Sequence, residues 1–405
     1  MNAVRQQVSC GSRAQRIVEE IAGFSEFGQT AARKELAGVP VLTNEFWTSK
    51  QRAAHSLHEV SYRACFKPQL PRFFIERLTS PGDLVYDPFM GRGTTLVEAS
   101  LLGRNVAGCD VNPLSKVFTK PRLAPPSLDD VRRRLEIIDF ESVREMREDL
   151  TVFFHPSTLR QIASLRHYLR QAICTNTGDE VDDWIRLVAT NRLTGHSSGF
   201  FSVYTLPPNQ AVSVESQRRI NVLRDQTPPQ RDVASLILKK TKQLLSDMAR
   251  PSHNREPILL TQSCDTTPQI ANDSIDLIVT SPPFLDTVDY AQDNWLRAWF
   301  CGVDLAATPL WHLRKISEWT DAMTSVLREL HRVLRIGGFV AFEVGEVRNG
   351  TVLLEEQVLQ AGRAAGLNPV LVLVNAQDFT KTSNCWGVEN NTKGTNSNRV
   401  VLFQK

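Results

Sequence analysis

Leu84-Val85-Tyr86 is a short apolar run that leads straight into Asp87-Pro88-Phe89-Met90-Gly91-Arg92-Gly93-Thr94-Thr95, after which Leu96 to Leu102 carries helical spacing. Strand, glycine turn and helix in immediate succession restrict the chain to α/β folds in which a strand hands over to a helix at its carboxyl edge. Gly91 and Gly93 lack a Cβ, so the backbone can turn tightly and a ligand can approach its amides. A second strand, Asn105 to Cys109, ends in Asp110, twenty-three residues after Asp87. At about that spacing a carboxylate meets ribose hydroxyls in doubly wound folds. A G-x-G before a helix also serves as a plain tight connection, and the carboxylate in register weighs against that reading. The turn lacks the lysine of a phosphate loop, which argues against ATP.

A second motif follows a second buried strand. Ile275 to Val279 runs into Thr280-Ser281-Pro282-Pro283-Phe284. A hydroxyl, two rigid prolines and an aromatic face make a site for a flat, amine-bearing ring. An exocyclic amine is a poor nucleophile because its lone pair is delocalised into the ring. Two acceptors aimed at its hydrogens would localise that pair, and positioning does most of the work. None of the seven cysteines follows a proline as a nucleophile of C5-cytosine chemistry would, so Cys264 and Cys385 read as small apolar residues.

These residues resemble the S-adenosylmethionine-dependent amino-methyltransferases of DNA, the N4-cytosine and N6-adenine methylase family. The likeness rests on Asp87-Pro88-Phe89 with Gly91-x-Gly93-Thr94-Thr95, on Ser281-Pro282-Pro283-Phe284, on the segment His58 to Pro71 and on Thr392-Lys393-Gly394-Thr395. It is specific over roughly residues 55–115 and 258–345. The resemblance implies a Rossmann-like class I methyltransferase fold with S-adenosyl-L-methionine as cofactor. Phe89, Gly91, Gly93, Thr94 and Thr95 would line the cofactor beside Asp87. Asp110 would hold the ribose, Asp265 would sit near the adenine, and the 58–71 segment would cover the methionine end. Ser281 and the Pro282 carbonyl, on the rigid frame of Pro283, would take the amine's hydrogens, and Phe284 would stack on a base flipped out of duplex DNA. In the family, a serine before the two prolines goes more often with N4-cytosine, and an aspartate with N6-adenine. The alternatives are N6-adenine methylation, RNA guanine N2-methylation and a catalytically silent nucleic-acid-binding protein. One departure stands out: the cofactor motif precedes the catalytic motif here, whereas many N4-cytosine methylases have the permuted order.

The apolar runs at 84–87, 105–110, 258–262, 275–280, 338–344, 370–375 and 398–403 predict a seven-stranded, mostly parallel sheet covered on both faces. Trp319, Met323, Val326, Leu327, Leu330 and Val333 form the core stripe of a helix. The expected organisation is an N-terminal extension at 1–45, a first catalytic half at 46–120, a mostly helical insertion at 121–257 and a second catalytic half at 258–405. The extension offers a short helix around Val18 to Phe24 that packs on the core. The insertion opens with a charged helix, Leu128 to Leu150, and carries a mixed aromatic and hydroxyl cluster, Asn191 to Gln210, in a region rich in basic residues. Arg218, Arg219, Arg224, Arg231, Lys239, Lys240 and Lys242 there either contact phosphates or form an ordinary helix surface. After the second motif, Asp286, Asp289, Tyr290, Asp293, Asn294 and Trp295 either read the base edge or cap a helix.

The formal charge of +3 excludes a whole-protein basic field, so any nucleic-acid footprint is a local patch. There is no long apolar run for export or membrane insertion and no C-x-x-C pair for zinc, which together point to a cytoplasmic enzyme without metal. The expected partners are double-stranded DNA and, for a self-protecting system, a cognate restriction endonuclease.

Overall fold

The computed structural model describes residues 13–47, 54–62, 65–205, 211–283, 290–305, 307–311, 313–347, 352–376 and 397–405. Within these, one sheet contains β1 (Ala32–Leu36), β2 (Val39–Asn44), β3 (Leu84–Asp87), β4 (Asn105–Asp110), β5 (Ile258–Thr261), β6 (Ile275–Thr280), β7 (Leu334–Val344), β10 (Asn368–Ala376) and β11 (Ser397–Gln404). A two-stranded pair, β8 (Glu346–Val347) and β9 (Val352–Leu353), stands apart. The order across the sheet is β1-β2-β10-β11-β7-β6-β3-β4-β5. From β5 to β7 all neighbours are parallel, and β11 lies antiparallel between β7 and β10. The chain winds outward from β3 through β4 to β5, then returns to β6 on the other side of β3. That reversal leaves a crevice at the carboxyl ends of β3 and β6, where doubly wound sheets take their ligands.

All seven expected strands are present, and the sheet has nine because of a hairpin that was not foreseen. β1 and β2 lie in the supposed extension, and β2 pairs in parallel with β10, so residues 32–44 belong to the catalytic sheet. The turn gives a weak sequence signal. Ala37 and Gly38 both adopt positive φ, 50° and 78°, a hairpin conformation normally announced by Asn-Gly or Asp-Gly. β1 is also largely exposed, so it shows no alternation of apolar residues. The helical segment 13–22 packs as expected, with Ile17, Ile21 and Phe24 buried. Arg13 ties it down by donating to the carbonyls of Gly337 and Leu78 at 3.1 Å each.

Each face of the sheet carries its own apolar cluster. One is covered by α10 (Ile316–Val333) and α11 (Leu354–Ala364), and the stripe from Trp319 to Val333 is fully buried there. The other is covered by α1 (Gln69–Leu78), α2 (Thr94–Leu101), α3 (Leu114–Leu123) and the insertion. The insertion is helical: α4 (Leu128–Ile137), α5 (Pro156–Cys174), α6 (Glu180–Arg192), α7 (Val214–Leu223) and α8 (Val233–Leu244). Its helices start on side-chain caps, including a capping box between Asp179 and Asp182. The helix expected over 128–150 stops at Ile137. Asp139 accepts from the Glu141 amide at 2.9 Å, a local turn that competes with helix continuation. Trp184 locks α6 to α8 through Nε1 to Thr241 Oγ1 at 3.0 Å. After the second motif comes α9 (Tyr290–Cys301), which packs against α3, α5 and α6. No helix among the described residues is long and apolar enough to cross a membrane.

Candidate active site

The glycine turn is held from beneath by two carboxylates. Asp87, at the end of β3, accepts from Thr280 Oγ1 at 2.6 Å and from the Phe89 amide at 3.1 Å, which joins the end of β3 to the end of β6. Burial pushes the Asp87 carboxyl up to about 7, against the pull of these hydrogen bonds. Asp110, at the end of β4, accepts from the Gly91 amide and the Asn112 amide at 2.8 Å each, and burial raises its pKa as well. Gly91 has φ +49° and Gly93 φ +77°. At Gly93 space is as decisive as conformation, because a Cβ would lie 2.3 Å from Thr119 Oγ1 on α3. Thr95 donates to the Val279 carbonyl at 3.1 Å, a second tie between the turn and β6.

A pocket opens above this floor. Pro88, Phe89, Gly91 and Asp110 form one wall, Ser281 and Pro283 another, and Gln262, Ser263 and Cys264 a third. Tyr62, Asn112 and Trp311 complete it, and Phe89 meets Trp311 edge to face at 5.8 Å between ring centres. Among the described residues the expected cofactor set therefore divides. Phe89, Gly91 and Asp110 face the pocket. Gly93, Thr94 and Thr95 are buried beneath it, and Asp87 serves as a brace. Asp265 is exposed, one residue beyond the wall that ends at Cys264.

Ser281 sits just past the carboxyl end of β6, with its hydroxyl near Glu343 on β7, whose ionised form it favours. Glu343 is buried, which raises its pKa, and it also accepts from Asn398 Nδ2 at 3.0 Å. A serine hydroxyl whose hydrogen turns toward that carboxylate keeps its oxygen lone pairs for another donor. Trp319 Nε1 donates to the Pro283 carbonyl at 3.0 Å and fixes the rigid pair of prolines against α10. Phe284, Asp286 and Asp289 lie outside the described residues, as do 392–395. Asp293 and Asn294 are buried in α9, Asn294 accepting from Arg297 at 2.9 Å, and Trp295 donates to the carbonyls of Ala211 and Val212. None of the three lines the pocket.

Several contributors had no sequence signal. Arg92 donates to the Val60 carbonyl at 2.8 Å, Arg122 to the Leu57 carbonyl at 3.1 Å and Arg297 to the Ser61 carbonyl at 3.1 Å. Asn191 brackets Ser61, accepting from its amide at 3.0 Å and donating to its carbonyl at 3.1 Å. Residues 57–61, just ahead of the pocket residue Tyr62, are thus strapped to the glycine turn, the insertion and α9 at once. A buried hydrogen bond between His58 Nε2 and Glu98 at 2.7 Å sits within this strap, and burial lowers the His58 pKa to about 4, which leaves the ring neutral near pH 7. In the aromatic cluster of the insertion, Phe200 and Phe201 are buried, with the Arg192 guanidinium 4.0 Å from the Phe200 ring centre. These rings are core. Lys240 pairs with Glu59 at 3.0 Å, whereas Arg218 and Arg219 are exposed.

S-adenosylmethionine presents a flat adenine, a ribose diol and a charged methionine end. The pocket's chemistry fits it: Asp110 retains lone pairs for hydroxyls, Phe89 and Trp311 offer aromatic faces, and Asn112 Nδ2 is a buried donor without a protein partner.

Residues 27–116 match the N6/N4 methyltransferase family, described as DNA methylase. The chain is similar to the type II methyltransferase M.BsoBI of Geobacillus stearothermophilus, 21% identical over 64% of this chain and 55% of that protein. It is similar to the type II methyltransferase M.MvaI of Kocuria varians, 31% identical over 34% of this chain and 27% of that one. It is also similar to the tRNA (guanine(10)-N2)-dimethyltransferase of Methanocaldococcus jannaschii, 28% identical over 34% of this chain and 44% of that protein. Each match spans less than two thirds of the relative's length. Among solved structures it is similar to the rRNA methyltransferase aviRa of Streptomyces viridochromogenes, 12% identical, with a TM-score of 0.32 over 89% of this chain and 94% of that one. The fold assignment rests on the strand order and the crevice it creates.

Proposed function

We propose that this chain, a member of the S-adenosylmethionine-dependent N6/N4 DNA methylase family, transfers a methyl group to an exocyclic amine of a DNA base, the N4 amine of cytosine. The observation that carries the reading is Ser281, which shares one pocket wall with Pro283 and faces the pocket that also holds Phe89 and Asp110. A bound cofactor would supply an electrophilic methyl group on a sulfonium, whose sulfur keeps the electron pair of the broken carbon–sulfur bond and departs as a neutral thioether.

Everything else is the work of the chain's own groups. Asp110 accepts from the ribose hydroxyls, Asn112 donates to a polar atom of the cofactor, and Phe89 packs on it. A target base, turned out of the duplex, brings its amine to Ser281 Oγ and the Pro282 carbonyl. These take the two amine hydrogens and localise the nitrogen lone pair toward the methyl group. Phe284 stacks on the base. Glu343 orients the serine hydroxyl, so that the oxygen accepts instead of donating. After transfer the amine carries a surplus proton, which leaves to solvent or along the acceptors.

Ser281 in place of an aspartate favours cytosine over adenine. Similarity to a tRNA guanine N2-dimethyltransferase supports a second reading, RNA guanine methylation, and Ser281 speaks against it too. A cytoplasmic setting beside the cell's DNA and a cognate restriction endonuclease complete the proposal. The test is transfer of labelled methyl from S-adenosylmethionine to duplex DNA and, separately, to bulk tRNA. Label in DNA that disappears in Ser281→Ala supports the proposal. Label confined to tRNA, or persisting in Ser281→Ala, refutes it.

A further inference from the structure

The helix that leaves the catalytic motif, α9, presents two half-buried tryptophans, Trp295 and Trp299. Each carries a guanidinium: Arg147 lies 5.7 Å from the Trp295 ring centre and Arg166 5.1 Å from that of Trp299. Arg170 is one turn beyond Arg166 on α5 and therefore on the same face. Its side chain rests against Gly302, where an added Cβ would come within 3.0 Å of Arg170 Nε. The three cations come from the loop before α5 and from α5 itself, and they converge on one side of α9.

Ordinary structural roles account for only part of this arrangement. Arg166 Nε donates to the Trp299 carbonyl at 2.8 Å, which caps the end of α9. Arg147 bridges to Asp149, its Nε at 3.0 Å from the carboxylate. Arg170 is exposed, and among the described residues it has neither a hydrogen bond nor a carboxylate partner. Burial and then the charges of Arg170 and Arg147 hold the Arg166 pKa below its ordinary value, so the cluster is mutually repulsive as it stands. One of the three guanidiniums pairs with Asp149 and two lie over indole rings, so together they form an array of planar forks. Such forks match the oxygens of a phosphodiester.

We propose that Arg147, Arg166 and Arg170, displayed over Trp295 and Trp299, grip the phosphodiester backbone of the DNA whose base enters the catalytic pocket. The inference rests on the DNA reading of the pocket and adds where the strand lies: along α9, on the α5 side, and not only over the exposed Arg218 and Arg219 of α7. Phosphate contacts set register without reading sequence. The patch would then fix how the duplex approaches the Ser281 site, whatever the recognition sequence.

The experiment measures binding of a fluorescent DNA duplex to the full chain by anisotropy at several salt concentrations, for wild type, Arg170→Gln and Arg170→Lys. Cofactor binding, measured by calorimetry, reports on an intact fold. Losing one phosphate contact lowers the slope of log affinity against log salt by about 0.9. Arg170→Gln is expected to lose about one unit of slope and several-fold in affinity at low salt, while Arg170→Lys retains most of both. An unchanged slope and affinity in Arg170→Gln, with wild type binding the duplex, overturns the phosphate assignment alone. A wild-type chain that binds its cofactor but no DNA duplex overturns the DNA reading on which the assignment rests.

Discussion

The two halves of the pocket are built in opposite ways. On the cofactor side, at the ends of β3 and β4, two carboxylates accept mainly from backbone amides of the turns, Asp87 from Phe89 and Asp110 from Gly91 and Asn112, while Thr280 and Thr95 tie the turn across to β6. On the acceptor side, at the ends of β6 and β7, Ser281 depends on Glu343, Glu343 on Asn398, and Pro283 on Trp319. One half is a backbone turn whose amides are held by carboxylates. The other is assembled by tertiary structure from strands and a helix that meet only in the folded sheet. The contrast predicts that damage to the cofactor half registers as lost binding and stability, and damage to the acceptor half as lost turnover with binding intact.

The largest effect sharpens that division. If Ser281 is the proposed amine acceptor, Ser281→Ala lowers turnover by about a hundred- to a thousandfold, while cofactor affinity measured by calorimetry stays within a few-fold. Comparable losses in both would erase the distinction between the halves. Glu343→Gln leaves an acceptor of nearly the same shape but removes its charge. The Ser281 hydroxyl is then held less firmly, and turnover should drop by roughly tenfold to a hundredfold, again with cofactor binding preserved. Wild-type turnover in this variant would detach Glu343 from the reaction.

On the cofactor side, Gly93→Ala forces a Cβ against Thr119 in a left-handed backbone. It is expected to destabilise the fold by about 1–3 kcal/mol and weaken cofactor binding. Urea unfolding measures the first, and a Thr119→Ala second substitution should recover part of it. Full recovery would mean that the clash alone, and not the backbone conformation, sets the cost.

The smallest expected effect concerns pH. The Asp87 carboxyl is raised from 3.8 to about 7 in the folded chain, so folding takes up a proton there. Its stabilising contribution is therefore greatest at low pH and is lost as pH rises toward 7. Asp87→Asn cannot titrate. The melting temperature of the variant relative to wild type should climb between about pH 4 and pH 7 and level off above that. A difference that stays flat across this range would show that Asp87 is ionised throughout.

The same contrast explains what the sequence could disclose. The strand, the Gly91-x-Gly93 turn, Asp110 and the Ser281-Pro282-Pro283 run lie in contiguous stretches, and their chemistry is legible from residue type and spacing. The seven strands of the catalytic sheet were legible too, because their buried runs are nearly continuous. Glu343 was not, since a glutamate inside an apolar strand reads as an interruption until its partner across the sheet is known. Arg92, Arg122 and Arg297 carry no pattern that marks them as interior, yet each is buried and bound to a backbone carbonyl. Asn112 and Trp311 belong to loops with no periodicity. Gly93, Thr94 and Thr95 were legible as part of the turn but not as its buried underside. The burial of Phe200 and Phe201 was not legible, because composition cannot tell a buried ring from a displayed one.

The central claim is that Ser281 receives the amine of a cytosine in DNA, and one measurement addresses it directly. Duplex DNA methylated by the purified chain with S-adenosylmethionine is digested to nucleosides, and the modified species is identified by mass and retention. The account predicts N4-methylcytosine, lost in Ser281→Ala. N6-methyladenine as the sole product, or N2-methylguanosine formed only in tRNA, would contradict it.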